Sequence, residues 1–267
     1  MTAAFEAITL DFGNTLVPFP AGQMAEVVRL TAERAACLAG CSIDEFVGAW
    51  GEERLRQFAE DVPAGHEADM DVRVARVLAR LRGKPVPADG ARWDDAALAE
   101  YSEPHEVAAI LDTYAGAFVR VTPVPSGIGP MIERLAGSYL LAILSNWPLA
   151  LAIDRFVENA GWRRHLSAVV VSQRVGVIKP RPEIFERAAA ELGVASGPTI
   201  LDVGDDLGAD VLGAHRVGWS AAWVRCQPED SSLPVAPPAP GAEPDLTIDT
   251  IVDLEDALRR YGAVSGR

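Results

Sequence analysis

The sequence predicts an α/β protein, a doubly wound parallel sheet with an inserted α-helical cap domain, and three observations predict it. Short, nearly continuous apolar runs alternate with amphipathic segments along the second half of the chain, the pattern of parallel strands covered by helices on both faces. A first apolar run, FEAITLD, stands apart from the others near the start. Between it and the rest, the apolar residues recur at helical spacing with no strand-like alternation. With 267 residues, 49% of them hydrophobic, the chain can fill a large core and a smaller appended domain.

Each element follows in order. FEAITLD ends in a carboxylate and runs into Gly13 and Asn14, so it reads as a buried strand leading into a turn. The segments AEVVRLTAERAACLAG, IDEFVGAWGEERLRQFAE, DVRVARVLARL and EVAAILDTYAGAFV are helices, separated by breaks at Ala64-Gly65 and at Gly83 through Gly90. A small helical bundle is the simplest arrangement for them. After the TPVPSG turn come a helix in IGPMIERLAG, a strand in YLLAILSN, a helix in ALAIDRFVENAG and a strand in LSAVVVSQ. PEIFERAAAELG, PTILDVGDD, ADVLGAHRVG and SAAWVRC continue the alternation. The first strand cannot bury two faces alone, so it joins the same sheet, and the helical segment is an insertion placed above the sheet's carboxyl edge. The division is therefore 1–17 plus 122–267 for the core and 18–121 for the cap, with linkers near Val17 to Pro20 and Val121 to Pro125. Residues 227–244 are proline-rich and are expected to be a mobile loop before a strand in LTI and a closing helix.

Charge narrows the function. The formal net charge is -14 and no run of Lys or Arg is present, which excludes a nucleic-acid-tracking surface. The longest apolar runs fall far short of the roughly 20 residues of a membrane span, and the start has no basic, apolar leader pattern, so a cytoplasmic enzyme is expected. Cys37, Cys41 and Cys226 read as reduced thiols without metal-ligand spacing. His66, His105, His165 and His215 are dispersed. GIG at 127–129 lacks the rest of a dinucleotide fingerprint and reads as a turn and helix start.

Four short segments remain, each at or just beyond a strand end, where open parallel sheets bind ligands. They are Asp11 in LDFGNTLV, Ser145-Asn146 after LLAIL, Lys179 in GVIKPRPEIF, and Asp205, Asp206 and Asp210 in DVGDDLGAD. In that order, with a helical insertion after the first, the set resembles the haloacid-dehalogenase superfamily over the whole chain. The resemblance implies a central first strand flanked by the strands of Ser145 and Asp205. It implies Asp11 as a nucleophile forming an aspartyl-phosphate, with Mg²⁺ held by Asp11, Asp205 and the backbone carbonyl of Gly13. Ser145 would donate to a transferring phosphoryl oxygen, Lys179 would neutralise the attacking carboxylate, and Asn146 would support the loop. Asp206 and Asp210 either bind metal, hold a coordinating water, or cap the helix that begins near Gly208. The implied substrate is a small phosphorylated molecule, with cap closure excluding water.

One position departs from the family. Phosphatases of this type carry a second Asp two residues after the nucleophile as general acid–base, and here that residue is Gly13. Such catalysis is worth roughly 10²–10⁴-fold. A good leaving group, an acidic cap residue, or Asn14 orienting a water would compensate in part. The same departure opens two other readings: a 2-haloacid dehalogenase, against which the acidic GDDLGAD segment argues, and a catalytically weakened binding protein. Trp147 reads either as a pocket border or as packing against the next helix; Phe19, Trp50 and Trp93 read as core.

Overall fold

The computed structural model describes residues 5–84, 102–225, 227–231, 233 and 240–265. Cys226, Trp93, most of the Gly83–Gly90 break and much of the 227–244 loop lie outside the described residues. Six strands form one parallel sheet: β1 (Ala7–Leu10), β2 (Leu140–Ser145), β3 (Ala168–Val171), β4 (Ile200–Gly204), β5 (Ser220–Val224) and β6 (Leu246–Ile248). Their order is β3-β2-β1-β4-β5-β6, all neighbours parallel, so β1 is internal and pairs with β2 on one side and β4 on the other. This is the doubly wound sheet the alternation predicts.

Chain contacts divide the molecule into two compact units. One comprises residues 1–21, 123–146 and 157–267; the other comprises 22–122 and 147–156. The second unit holds α1 (Gln23–Ala39), α2 (Ile43–Glu60), α3 (Met70–Leu81) and α4 (Pro104–Val121). In it α1 packs on α2 and α4, and α3 packs on α2 and α4. The local sequence explains the element ends: Ser42 and Glu45 close a capping box at the start of α2, and Gly40 ends α1 in a left-handed conformation. Residues 147–156 cluster with this unit, which the division at 121 does not include.

The first unit holds the sheet with α5 (Ile128–Ala136), the carboxyl-terminal turn of α6 (Ala150–Asn159), the short α7 (Ser172–Val175), α8 (Pro182–Leu192), α9 (Leu212–Arg216) and α10 (Leu254–Ser265). One face of the sheet buries Ala7, Leu144 and Val170 against Ile184 and Phe185 of α8, and Phe185 meets Trp219 edge-on at 5.4 Å. Proline at the first turn of α8 and Gly193 at its end fix that helix's length. Among the described residues no helix is long and apolar enough to cross a membrane.

Register positions the chemistry. Leu10 is level with Ile143 of β2 and Val203 of β4. The residues that follow on all three strands therefore emerge at one carboxyl edge.

Candidate active site

Asp11 is the first residue past β1. Its backbone N–H donates to Val203 O at 2.8 Å, which ties the nucleophile candidate to the neighbouring strand. The turn behind it is tight: Leu16 and Val17 both donate to Phe12 O, and Asn14 donates to Val17 O at 2.7 Å. Asn14 takes φ 57, a left-handed conformation that asparagine tolerates better than most residues. Its side chain is used twice, accepting from Phe19 N at 3.2 Å and donating to Ser231 Oγ at 2.8 Å.

Lys179 is the hub. Its ammonium donates to Asp11 Oδ1 at 2.8 Å, to Asp210 Oδ1 at 2.5 Å and to Leu144 O at 2.8 Å, and the side chain is 2% exposed. Asn146 holds the lysine's own backbone, accepting from Lys179 N at 2.7 Å and donating to Lys179 O at 3.1 Å. Ser145 closes β2 and is fully buried; among the described residues its Oγ has no hydrogen-bond partner. Buried hydroxyls are normally satisfied, so this one is a group in want of an acceptor or donor.

The acidic segment after β4 splits its carboxylates between two jobs. Asp206 is a helix cap, with Oδ1 accepting from Gly208 N at 2.7 Å and Ala209 N at 2.9 Å. Asp210 turns inward: Oδ1 meets Lys179, and Oδ2 accepts from Asp206 N at 2.9 Å. Gly204 makes room for it, because a Cβ there would stand 2.0 Å from Asp210 Oδ2. Asp205 receives Thr15 Oγ1 at 3.1 Å, and its backbone carbonyl accepts from Trp223 Nε1 at 2.9 Å and Gln227 Nε2 at 3.0 Å.

Asp11, Asp205 and Asp210 are all buried, and each offers one oxygen within 4.8 Å of the others. Hard carboxylate oxygens at this spacing fit Mg²⁺. The electrostatics agree with that fit. Burial, then the charge of Asp210, outweigh Lys179 and push the Asp11 carboxyl up to about 6. Burial followed by the charges of Asp11 and Asp210 pushes Asp205 up to about 8. Burial pulls the Lys179 ammonium down, but Asp11, Asp210 and Asp202 overcome it and hold the lysine charged well above its ordinary range. One cation is left to serve more carboxylates than it can neutralise.

Several residues of this network escape the motif reading. Asp202, fully buried in β4, accepts a 2.5 Å hydrogen bond from Thr9 of β1, while its Oδ2 has no partner among the described residues. Burial raises it to about 8. Thr15, Trp223, Gln227 and Ser231 also carry no motif signal beyond the polar types themselves. The residues set aside have other surroundings. His215 meets Asp245 at 3.0 Å, Gly127 caps α5 from a left-handed conformation, and Trp147 is buried edge-on to Phe118 at 5.4 Å. Phe19 and Trp50 are buried as core residues.

Comparison with known proteins gives one family and several relatives. The family model described as a haloacid dehalogenase-like hydrolase matches residues 5–218. A glyceraldehyde 3-phosphate phosphatase of Methanopyrus kandleri is 28% identical, over 95% of this chain and 97% of that protein. The pyrimidine 5'-nucleotidase YjjG of Escherichia coli is 29% identical over 52% of this chain; the match spans 58% of the nucleotidase, less than two thirds of its length. In fold, the chain is similar to a 2-haloacid dehalogenase from Pseudomonas syringae pv. tomato, with a TM-score of 0.65, 21% identity and coverage of 96% of this chain and 99% of that one.

Proposed function

Because the chain belongs to the haloacid dehalogenase-like hydrolase family, we propose that it is a Mg²⁺-dependent phosphatase that cleaves a small phosphorylated metabolite through an aspartyl-phosphate on Asp11. The observation that carries this reading is the grouping of Asp11, Asp205 and Asp210, two of them bound by the Lys179 ammonium, with the hydroxyl of Ser145, unpartnered among the described residues, at the end of the strand next to β1. The names of phosphatase relatives that match most of this chain support it.

The residues divide the work. Asp11 attacks phosphorus; the new bond is Asp11 Oδ–P, and the ester P–O bond breaks with its electron pair on the leaving oxygen, which takes its proton from water. Water then attacks the same phosphorus and returns Asp11 and inorganic phosphate. Lys179 keeps Asp11 ionised despite burial and balances charge on the phosphoryl oxygens. Ser145 Oγ gives its hydrogen to one of those oxygens, which supplies the partner it lacks. Asn146 acts through Lys179 by fixing its backbone. Asp11, Asp205 and the carbonyl of Gly13 would hold Mg²⁺, with Asp210 beside them, and the ion would supply the counter-charge that lets a phosphate approach these carboxylates. Asp206 is assigned to capping.

Gly13 offers no carboxyl to protonate the leaving oxygen. Substrates whose leaving group needs no help are therefore favoured, and aryl phosphates should turn over faster than alkyl ones. The same residue supports a second reading, hydrolysis of 2-haloacids, in which halide leaves without a proton.

Hydrolysis of a panel holding glyceraldehyde 3-phosphate, pyrimidine 5'-nucleotides, an aryl phosphate and 2-haloacids, with Mg²⁺ and with EDTA, tests both. Phosphate release that requires Mg²⁺ and vanishes in Asp11→Asn, a loss on the order of 10⁴-fold or more, is expected. Metal-independent halide release would replace this reading with the second, and release that survives Asp11→Asn would end both.

A further inference from the structure

Two arginines of α3, Arg73 and Arg76, lie three residues apart on one face, and both are buried, at 2% and 4% exposure. Arg76 is neutralised: its Nε donates to Glu53 Oε2 at 2.7 Å. Arg73 is not. Its Nε donates to the neutral Gln57 Oε1 at 2.7 Å, its Nη2 makes a long 3.4 Å contact with Ala68 O, and its guanidinium carbon sits 5.2 Å from the Trp50 ring centroid. Among the described residues no carboxylate pairs with it and Nη1 has no acceptor. Taking a charge out of water costs several kcal/mol unless a partner offsets it. Neutral contacts offset only part.

The group is also held in a set orientation. Gln57 donates Nε2 to Asp69 O at 2.9 Å, which turns its carbonyl oxygen toward Arg73 Nε. Trp50, behind the guanidinium, is itself stacked on Tyr114 at 5.9 Å. One edge and one face of the guanidinium are thus fixed. The Nη1–Nη2 edge, the edge that receives carboxylate or phosphate oxygens in pairs, carries only the long Ala68 contact. Burial lowers Arg73 to about 10, and the more distant Tyr114, Glu67 and Asp69 offset that only in part.

We propose that Arg73 anchors an oxyanion site in the helical unit, where a carboxylate or phosphate group of a small molecule is taken on the Nη1–Nη2 edge with Trp50 packed behind the guanidinium. Gln57 is its positioning residue. The inference concerns the helical unit alone and does not depend on the phosphatase reading.

The test is a titration of the full-length protein with inorganic phosphate in EDTA, read by thermal unfolding and by tryptophan emission. Without a divalent cation the Asp11 cluster has more carboxylates than cations and repels phosphate, so a response reports on Arg73. A saturable rise in Tm is expected in wild type and in Ser145→Ala, and is lost in Arg73→Met. The emission change is lost in Trp50→Phe. Arg73→Lys keeps the charge and loses the fork, and weakens phosphate binding about tenfold. No response in wild type, or a response kept in Arg73→Met, overturns the proposal. If Arg73→Met does not fold, unchanged phosphate affinity in Arg73→Lys overturns it. Once the response is established, kinetics assign the anion. A KM rise in Arg73→Lys confined to phosphomonoesters that carry a second anionic group identifies it as the substrate's own, and equal KM values identify a separate oxyanion.

Discussion

Among the described residues each unit holds a buried ionic cluster, and the two are balanced in opposite directions. In the helical unit Glu53, 2% exposed, receives Arg76 at 2.7 Å, Arg56 at 2.9 Å and Arg80 at 3.0 Å. Burial pulls the Glu53 carboxyl up, yet the hydrogen bonds from Arg76 and Arg56 outweigh it and hold the group below its ordinary value. In the sheet unit a single Lys179 stands among Asp11, Asp210 and Asp205, and Asp11 and Asp205 are raised. Carboxylates and cations at similar hydrogen-bond distances thus give one cluster whose carboxylate is held ionised and one whose carboxylates are raised. In the helical unit the cations suffice to keep the buried carboxylate ionised; a cluster whose carboxylates outnumber its cations is set for a ligand of the opposite sign. Arg73 is the small positive counterpart of that second case.

Removing the central residue of each cluster should expose the difference, and these are the largest effects expected. Lys179→Met removes the cation that Asp11 and Asp210 share, and Glu53→Gln removes the carboxylate that receives Arg56, Arg76 and Arg80. Breaking a buried pair costs about 3–5 kcal/mol in either case. Only one loss should be recoverable. Mg²⁺ should restore part of the stability of Lys179→Met and none of that of Glu53→Gln, as urea unfolding with and without the ion would measure. Equal recovery in both would mean that the sheet cluster is an ordinary structural one.

The pH dependence is the next contrast in size. Asp11 rises from the ordinary 3.8 to about 6, and Asp202 and Asp205 from 3.8 to about 8. The folded state therefore binds protons that the unfolded chain has already released. Stability of the metal-free protein falls as pH rises from the ordinary carboxyl value through these folded values, by up to about 1.4 kcal/mol per pH unit for each group, and then levels off. Mg²⁺ competes with those protons, so its stabilising increment should grow over the same window. Thermal unfolding between mildly acid and mildly alkaline pH, in EDTA and in Mg²⁺, reads both trends. Asp202→Asn should flatten the metal-free decline and leave the Mg²⁺ increment in place, because Asp202 is bound to Thr9 and is not among the grouped metal-ligand candidates. Glu53, held down by its arginines, gives the helical unit the opposite sign: its contribution is lost only as pH falls through its lowered value.

The parts of this contrast that are readable in sequence are those that local rules reach. Asp11, Ser145 and Asp205 each stand at or just past the end of an apolar run, so strand ends alone place them at one edge once the sheet is parallel; Lys179 lies farther on, beyond α7, and only its motif marks it. Asp202 was hidden inside such a run, where ILDVG reads as strand and the next two aspartates draw the eye. Its partner Thr9 is on β1, and the pair exists only because β1 and β4 are neighbours. Arg73, Arg76 and Arg80 share one face of α3 at helical spacing, which does not by itself say whether they are buried; Glu53 and Gln57 of α2 draw Arg73 and Arg76 out of water. No periodicity rule reports which polar stripe will meet another helix. Gln227 and Ser231 lie in a stretch whose prolines predict a mobile loop, yet they contact Asp205 and Asn14.

That last pair gives the smallest and most selective test of the sheet cluster. The carbonyl of Asp205 accepts from both Trp223 and Gln227, so the peptide that leads out of the acidic turn is held from two sides. Gln227→Ala removes one of the two bonds. A hydrogen bond of this kind is worth about 1 kcal/mol, which is about fivefold in a binding constant. If the bond positions a metal ligand, the half-saturating Mg²⁺ concentration should rise about fivefold by thermal shift, while kcat at saturating Mg²⁺ is nearly unchanged. If it only fastens the loop, Tm falls and the Mg²⁺ requirement does not move. Ser231→Ala is the control, because Ser231 bonds Asn14 rather than Asp205 and should leave Mg²⁺ binding closer to wild type. An effect of Ser231→Ala equal to that of Gln227→Ala would show that the segment acts as one strap, and that Asp205 owes nothing in particular to its second donor.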